Sequence, residues 1–209
     1  MKCSRLRNRG RYLEEAMLFR DTDLIKVITG VRRCGKSSLL DLIRMTIESE
    51  GVAGRGFVSV NLESKGTGIK TEDQLYDRIR GRLSDKGRTY VFIDEPQRID
   101  GWQDAVNAMR VDFDCDIYLT GSNAYLLSSE LATYLSGRYV EVKMLPLSFS
   151  EFADFCGIEF VSGTSVALTP EGDPVLFDDM LTRYLEYGGM PAIASLSTTQ
   201  AQHSAYMSG

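Results

Sequence analysis

The chain has 209 residues, of which 43% are hydrophobic and 25% charged, with a formal net charge of −5. This is the composition of a globular protein with one good core and room for a small second unit. It gives no support for broad nucleic-acid binding, although a local basic patch is compatible with it. A run of about 18 apolar residues is missing, so no membrane span is expected.

The N-terminus lacks the apolar stretch of a secretory signal. Four cysteines, Cys3, Cys34, Cys115 and Cys156, lie far apart with no C-x-x-C pair. They are expected to be free thiols in a reducing cytoplasm. The single histidine, His203, sits in a polar tail, which argues against a histidine triad or a histidine metal site.

Residues 1–11 carry Lys2, Arg5, Arg7, Arg9 and Arg11 and no acid. They read either as an arm touching nucleic acid or an acidic partner, or as a solvated lead-in. Tyr12 to Phe19 has helical spacing of Leu13, Met17 and Leu18, and is expected to pack beside the first strand. Leu24 to Thr29 is a short apolar, β-branched strand. From Ser38 the chain reads as a helix with Leu39, Leu40, Leu42, Ile43 and Ile47 apolar.

Between strand and helix stands Gly30-Val31-Arg32-Arg33-Cys34-Gly35-Lys36-Ser37. It fits G-x-x-x-x-G-K-[ST], a phosphate-binding loop, and the flanking strand and helix are the context that makes the short pattern specific. The glycines let backbone N–H groups turn onto phosphate oxygens, and the helix N-terminus, with Ser38 in its first turn, adds partial positive charge. Lys36 is expected to reach the β- and γ-phosphates of a nucleoside triphosphate, and Ser37 to ligate Mg²⁺. Cys34 inside this loop is either a redox-sensitive thiol or simply a small side chain that fits.

Phe57 to Leu62 alternates as a second strand, and residues 63–70 form a polar loop. Thr71 to Leu83 reads as a helix capped by Thr71, with Leu75, Ile79 and Leu83 on one side. Thr89 to Glu95 is a buried strand ending in two carboxylates, after which Pro96 stops the sheet. Downstream of a phosphate loop, with a strand and helix between, Asp94 is expected to hold the Mg²⁺ hydration shell and Glu95 to polarise the attacking water. Ile99 to Val111 is a helix with Trp102, Val106 and Met109 inward. Asp116 to Thr120 is a further strand closed by Gly121-Ser122-Asn123, where a polar tip either senses the γ-phosphate or makes an ordinary turn. Ser128 to Leu135 is helix or loop, and Tyr139 to Lys143 is the last strand of the set. Ser148 and Glu151 have capping-box spacing. Residues 157–175 look irregular, Leu176 to Tyr187 reads as a helix, and residues 195–209 are expected to be disordered.

Strands alternating with helices imply an α/β fold, a mostly parallel sheet sandwiched by helices, with ligand beyond the carboxyl ends of the strands. The expected organisation is a basic arm and helix over 1–23, a nucleotide-binding core over 24–145, a helical extension over 146–194 and a tail over 195–209. No guanine-reading N-K-x-D motif occurs in the chain.

The stretches VITGVRRCGKSSLL, YVFIDEPQ with GWQDAVNAM, IYLTGSNAYLLSSELATYLSGRY and MLPLSFSEF together resemble a prokaryotic family of AAA+ P-loop ATPases. The resemblance runs from residue 9 to about 191. It implies a RecA-like core, ATP as the nucleotide, Asp94 and Glu95 as the acidic pair, Ser122 or Asn123 as strand-tip sensor, and Arg138 as a candidate arginine finger in a homo-oligomer. It leaves a protein or nucleic-acid client open. Pro96 departs from the residue many relatives carry. Family members continue past the Gly-Gly-x-Pro stretch, so the chain is expected to be a fragment or a natural truncation.

Overall fold

The computed structural model describes residues 9–52, 56–84, 87–122, 135 and 137–194, and for Ser122 the backbone alone. The expected helix after Ser128 lies, up to residue 134, outside the described residues. So do the tail at 195–209 and most of the basic arm.

The chain divides into two compact units. The first holds the described residues up to Gly30 and from Lys36 to Met144. Its elements are α1 (Gly10–Met17), β1 (Ile25–Gly30), α2 (Lys36–Ser49), β2 (Phe57–Asn61), α3 (Glu72–Arg80), β3 (Thr89–Asp94), α4 (Trp102–Asp112), β4 (Cys115–Ser122) and β5 (Tyr139–Met144). The five strands form one sheet in the order β2-β3-β4-β1-β5, and every neighbouring pair is parallel. Central strands of such a sheet are covered on both faces and therefore read as continuous apolar runs. β1 and β3 are buried at every position, whereas the edge strand β2 alternates.

Successive side chains on a strand point to opposite faces. One face gathers Val27, Val58, Val60, Val91, Ile93, Ile117 and Leu119 against Leu75 and Ile79 of α3 and Val106 and Met109 of α4. α2 packs on β1 and β4, and α1 on α2 and β5. α3 begins as expected, with the Thr71 hydroxyl accepting from the Gln74 N–H at 3.3 Å. α1 differs from expectation. Its buried positions are Tyr12 and Ala16, while Leu18 is exposed. Leu13 and Met17, which apolar spacing picked out, are half-buried beside them.

An aromatic row crosses the second face. Phe57 stacks near Tyr90 and Phe92, and Phe92 stacks on Tyr118 at 5.1 Å. It ends at Lys26, whose ammonium lies 5.1 Å from the Tyr118 ring centre. Lys26 is fully buried and hydrogen-bonds the equally buried carboxylate of Asp116. The other Asp116 oxygen accepts from the Tyr118 hydroxyl (3.1 Å) and the Asp21 N–H (2.9 Å). The Tyr90 hydroxyl donates to the Asp21 carboxylate at 2.8 Å, and Arg88 donates to the Asp21 carbonyl. Burial pushes the Lys26 pKa down, against the pull of Asp116, and pushes the Tyr118 hydroxyl up. This network ties the segment before β1 under the amino edge of the sheet.

The second unit holds Val31–Gly35 and the described residues from Leu145 onward. It contains α5 (Phe149–Cys156), β6 (Glu159–Phe160), β7 (Val166–Leu168), β8 (Pro174–Leu176), α6 (Phe177–Tyr187) and α7 (Pro191–Ala194). The capping box at Ser148 and Glu151 is formed. Residues 157–175, expected to be irregular, instead carry most of a three-stranded antiparallel sheet, β6-β7-β8. The strands are two or three residues long, too short for a period-2 pattern to show. After α6 the backbone of Gly189 lies directly on Leu147. The Leu147 N–H donates to the Gly189 carbonyl at 2.6 Å, and a Cβ on Gly189 would stand 2.1 Å from the Leu147 oxygen. The Tyr184 hydroxyl donates to that same oxygen at 2.8 Å.

Two stability predictions follow from these packings. Breaking a buried ion pair by removing one partner costs about 3–5 kcal/mol, because a charge is left uncompensated. Lys26→Met and Asp116→Asn should each lose about that much in urea denaturation, and the double variant should lose clearly less than the sum. Strict additivity would show that the two charges do not depend on each other. In the second unit, Gly189→Ala must push two backbones apart and should cost about 1–3 kcal/mol; an unchanged denaturation midpoint would contradict the close approach.

Candidate nucleotide site

β1 brings Gly30 to the carboxyl edge of the sheet, and residues 31–35 turn the chain into α2. Three residues of this turn have positive φ: Gly30 at 154°, Arg33 at 67° and Gly35 at 104°. Glycine meets the first and third demands because it has no Cβ to clash. The Cys34 N–H donates to the Val31 carbonyl at 3.3 Å and curls the loop. Val31, Arg32 and Arg33 are exposed, Cys34 is buried, and Ser38 is exposed on the first turn of α2. The chain then enters α2, whose first N–H groups have no intrahelical partner and suit an anion. Lys36 is buried, and its Nζ donates to the Gly30 carbonyl at 3.2 Å, closing the loop from its last residue to its first.

The acidic pair ends β3. Parallel register places Asn61 of β2 opposite Asp94, and Ile93 opposite Leu119 of β4, so Thr120 comes beside Asp94 on its other flank. In-register neighbours point to one side of a sheet, and these three polar side chains meet. Asp94 Oδ2 accepts from Asn61 Nδ2 at 2.9 Å. Asp94 Oδ1 accepts from the Ser37 hydroxyl at 3.1 Å and from the Thr120 hydroxyl. Glu95 then leaves the strand with φ 57° and ψ 53°, a left-handed conformation rare for a residue with a Cβ. Its N–H donates to Thr120 Oγ1 at 3.2 Å, and its carboxylate accepts from Gln97 Nε2. Asp41, one turn along α2 from Ser37, has its carboxyl pKa pushed up by burial; Arg44 opposes this, and the charge of Asp94 adds to it.

The donor chemistry fits Mg²⁺. A serine hydroxyl has one proton and two lone pairs, so Ser37 can donate to Asp94 and still face a cation with a lone pair. Among the described residues no cluster of three or more His, Cys, Asp and Glu side chains could hold a metal by itself. Mg²⁺ characteristically binds through one or two protein groups plus phosphate oxygens and water, and that is what Ser37 and Asp94 offer.

The other expected site residues fall in different places. The Ser122 backbone ends β4 in register with Gly30, while Asn123 lies outside the described residues. Arg138 precedes β5, and its carbonyl accepts from the Ile25 N–H at 2.9 Å, at the amino end of β1. The length of β1, about 20 Å at the usual rise per residue, therefore lies between Arg138 and the phosphate loop. Its exposed guanidinium donates to Asn107 Oδ1 of α4 at 3.1 Å. Asn61, Thr120 and Gln97 were not singled out by sequence reasoning. A polar residue ending an apolar strand in a parallel sheet is the signal that could have found the first two; Gln97 carries no comparable mark.

A family model described as an AAA domain matches residues 22–153. An uncharacterised protein of Haemophilus influenzae is 42% identical over 188 residues, covering 89% of this chain and 44% of that protein. An uncharacterised protein of Methanocaldococcus jannaschii is 34% identical over 170 residues, covering 81% of this chain and 36% of its own length. The chain thus spans less than half the length of these relatives. Among solved structures, C. elegans PCH-2 superposes with a TM-score of 0.55 at 16% identity, covering 88% of this chain and 57% of the other. The Hsp104–ADP complex of S. cerevisiae gives 0.55 at 17% identity, covering 90% and 29%. These two likenesses show the RecA-like fold alone. With the phosphate-loop motif, the parallel sheet and the match over residues 22–153 in agreement, the chain belongs to the AAA+ family of P-loop ATPases.

Proposed function

We propose that this chain binds ATP with Mg²⁺ and hydrolyses it, coupling turnover to a protein or nucleic-acid partner or to a further domain, in the cytoplasm. The observation that carries the reading is the Ser37–Asp94 contact of 3.1 Å, with Glu95 next in the chain. Free thiols at Cys34, Cys115 and Cys156 suit a reducing compartment, and no helix among the described residues is long and apolar enough to cross a membrane.

The roles divide by chemistry. The N–H groups from Gly30 to Ser38, including those of Val31, Arg32, Arg33 and Gly35, hold phosphate oxygens, the Cys34 N–H joins them on giving up the Val31 carbonyl, and Lys36 exchanges the Gly30 carbonyl for the β- and γ-oxygens. Ser37 and Asp94 hold Mg²⁺, which when bound supplies positive charge to the phosphate oxygens. Glu95 accepts a proton from the attacking water at its carboxylate. Ser122 or Asn123 at the β4 tip contacts the γ-phosphate or the water. Arg138, far from its own loop, acts on the nucleotide of a neighbouring copy in a homo-oligomer. A slow ATP-dependent switch is the second reading; Gln97 favours it by occupying the Glu95 carboxylate.

ATP with Mg²⁺ should raise the melting temperature of the chain, by about 2.7 kcal/mol of added stability at a hundredfold excess over Kd. Lys36→Ala should abolish most of that rise; an equal rise in both proteins would remove the assignment. Glu95→Gln should keep the rise and slow phosphate release by about 10²–10⁴-fold. Release already near background in the wild type, with binding intact, would favour the switch.

The finger is tested by complementation. Specific activity should climb with protein concentration, and Arg138→Ala should bind ATP yet remain slow throughout, since a finger is worth about 10³–10⁵ in rate. Mixing Arg138→Ala with Lys36→Ala should restore turnover, one supplying the pocket and the other the guanidinium. Co-assembled mixtures that stay inactive would rule out action on a neighbour.

A further inference from the structure

Thr120 is buried, and its hydroxyl joins two residues of the proposed site that face different tasks. It donates to Asp94 Oδ1 and accepts from the Glu95 N–H at 3.2 Å. The direction of both bonds is forced. An ionised carboxylate only accepts and a backbone N–H only donates, so the single hydroxyl proton must point to Asp94 and a lone pair to Glu95. No apolar side chain of the same shape can replace it without leaving a buried N–H and a carboxylate lone pair unpaired.

The bond to Glu95 has a particular consequence. Glu95 occupies left-handed backbone, which for a residue with a Cβ persists only where its surroundings over-determine it. The Thr120 oxygen anchors the N–H at the start of that conformation, and Gln97 holds the carboxylate at its end. The Asp94 oxygen that Thr120 holds is the one that Ser37 also reaches. One hydroxyl on β4 thereby fixes the carboxylate facing the cation and the backbone turn that aims the water-activating carboxylate.

We propose that Thr120 is a positioning residue that couples these two carboxylates, setting how tightly the site takes up Mg²⁺ with nucleotide and how productively Glu95 is aimed. The inference rests on the nucleotide reading above and adds a residue that this reading does not require.

The experiment uses the full chain, with two readouts. The first is the Mg²⁺ concentration giving half of the ATP-induced rise in melting temperature, and the second is phosphate release. Losing a hydrogen bond to a charged group corresponds to about 10–100-fold in an equilibrium or rate. Thr120→Val, which keeps shape and loses the hydroxyl, should raise the half-point about tenfold or more and slow release by about 10–100-fold. Thr120→Ser, which keeps the hydroxyl, should return both to within about twofold of the wild type. If the valine variant does not fold, Thr120→Cys, with a thiol that donates only weakly, should show the same direction of change.

A valine or cysteine variant that melts lower without nucleotide but keeps the wild-type half-point and release would make Thr120 a merely structural residue and overturn the proposal. So would a serine variant as impaired as the valine one. A wild-type chain that gains no stability from ATP with Mg²⁺ is a different result: it overturns the nucleotide reading, and this inference falls with it.

Discussion

The Asp94 carboxylate is the point on which the candidate site depends. It accepts hydrogen bonds from three elements besides its own: Ser37 at the start of α2, Asn61 at the end of β2 and Thr120 near the end of β4. Parallel strands in register bring Asn61, Asp94 and Thr120 into one row, and Ser37 at the start of α2 reaches the same carboxylate. A carboxylate with three donors around it is held in one orientation. That is the condition for a cation site that must be ready before the cation arrives. The arrangement does not require a long-range mechanism; it follows from strand register and from where polar residues stop the apolar runs.

The two edges of the sheet are built on different terms. At the carboxyl edge Ser37, Asn61 and Thr120 gather on the Asp94 carboxylate, and Lys36 donates to the Gly30 carbonyl. At the amino edge Lys26 and Asp116 are sealed off and satisfied by each other, by Tyr118 and by the backbone of Asp21. A buried pair of this kind adds little net stability over apolar residues but makes its own disruption costly. It therefore serves to hold one arrangement of the segment entering β1. Between the edges lie the Val and Ile positions that make the core. The strand middles carry most of the burial that drives folding.

The strand–loop–helix around Gly30 to Ser37 was legible because its pattern and its context coincide, and the strand ending in Asp94-Glu95 because it stands downstream of that loop with a strand and helix between. The caps at Thr71 and Ser148 were also readable, since a capping side chain needs only local spacing. What the sequence did not reveal was tertiary. Asn61 and Thr120 are polar residues after apolar runs, and only register sets them beside Asp94. Tyr12 and Ala16 are buried more deeply than Leu13 and Met17 on α1, because the depth depends on what the helix packs against. The three short strands between Glu159 and Leu176 carry too few residues to show alternation. Glu95 leaving the strand in left-handed backbone is a further feature that no residue type announced.

The most direct test of the account is crystallographic location of the cation. The chain would be crystallised with a slowly hydrolysed ATP analogue and Mn²⁺, and the anomalous signal of the metal mapped. The account predicts one peak at the Ser37 hydroxyl, with Asp94 still accepting from Ser37, Asn61 and Thr120 behind it and the phosphates in the turn between Gly30 and Ser38. A metal held away from Ser37 and Asp94, or a nucleotide bound outside that turn, would contradict it.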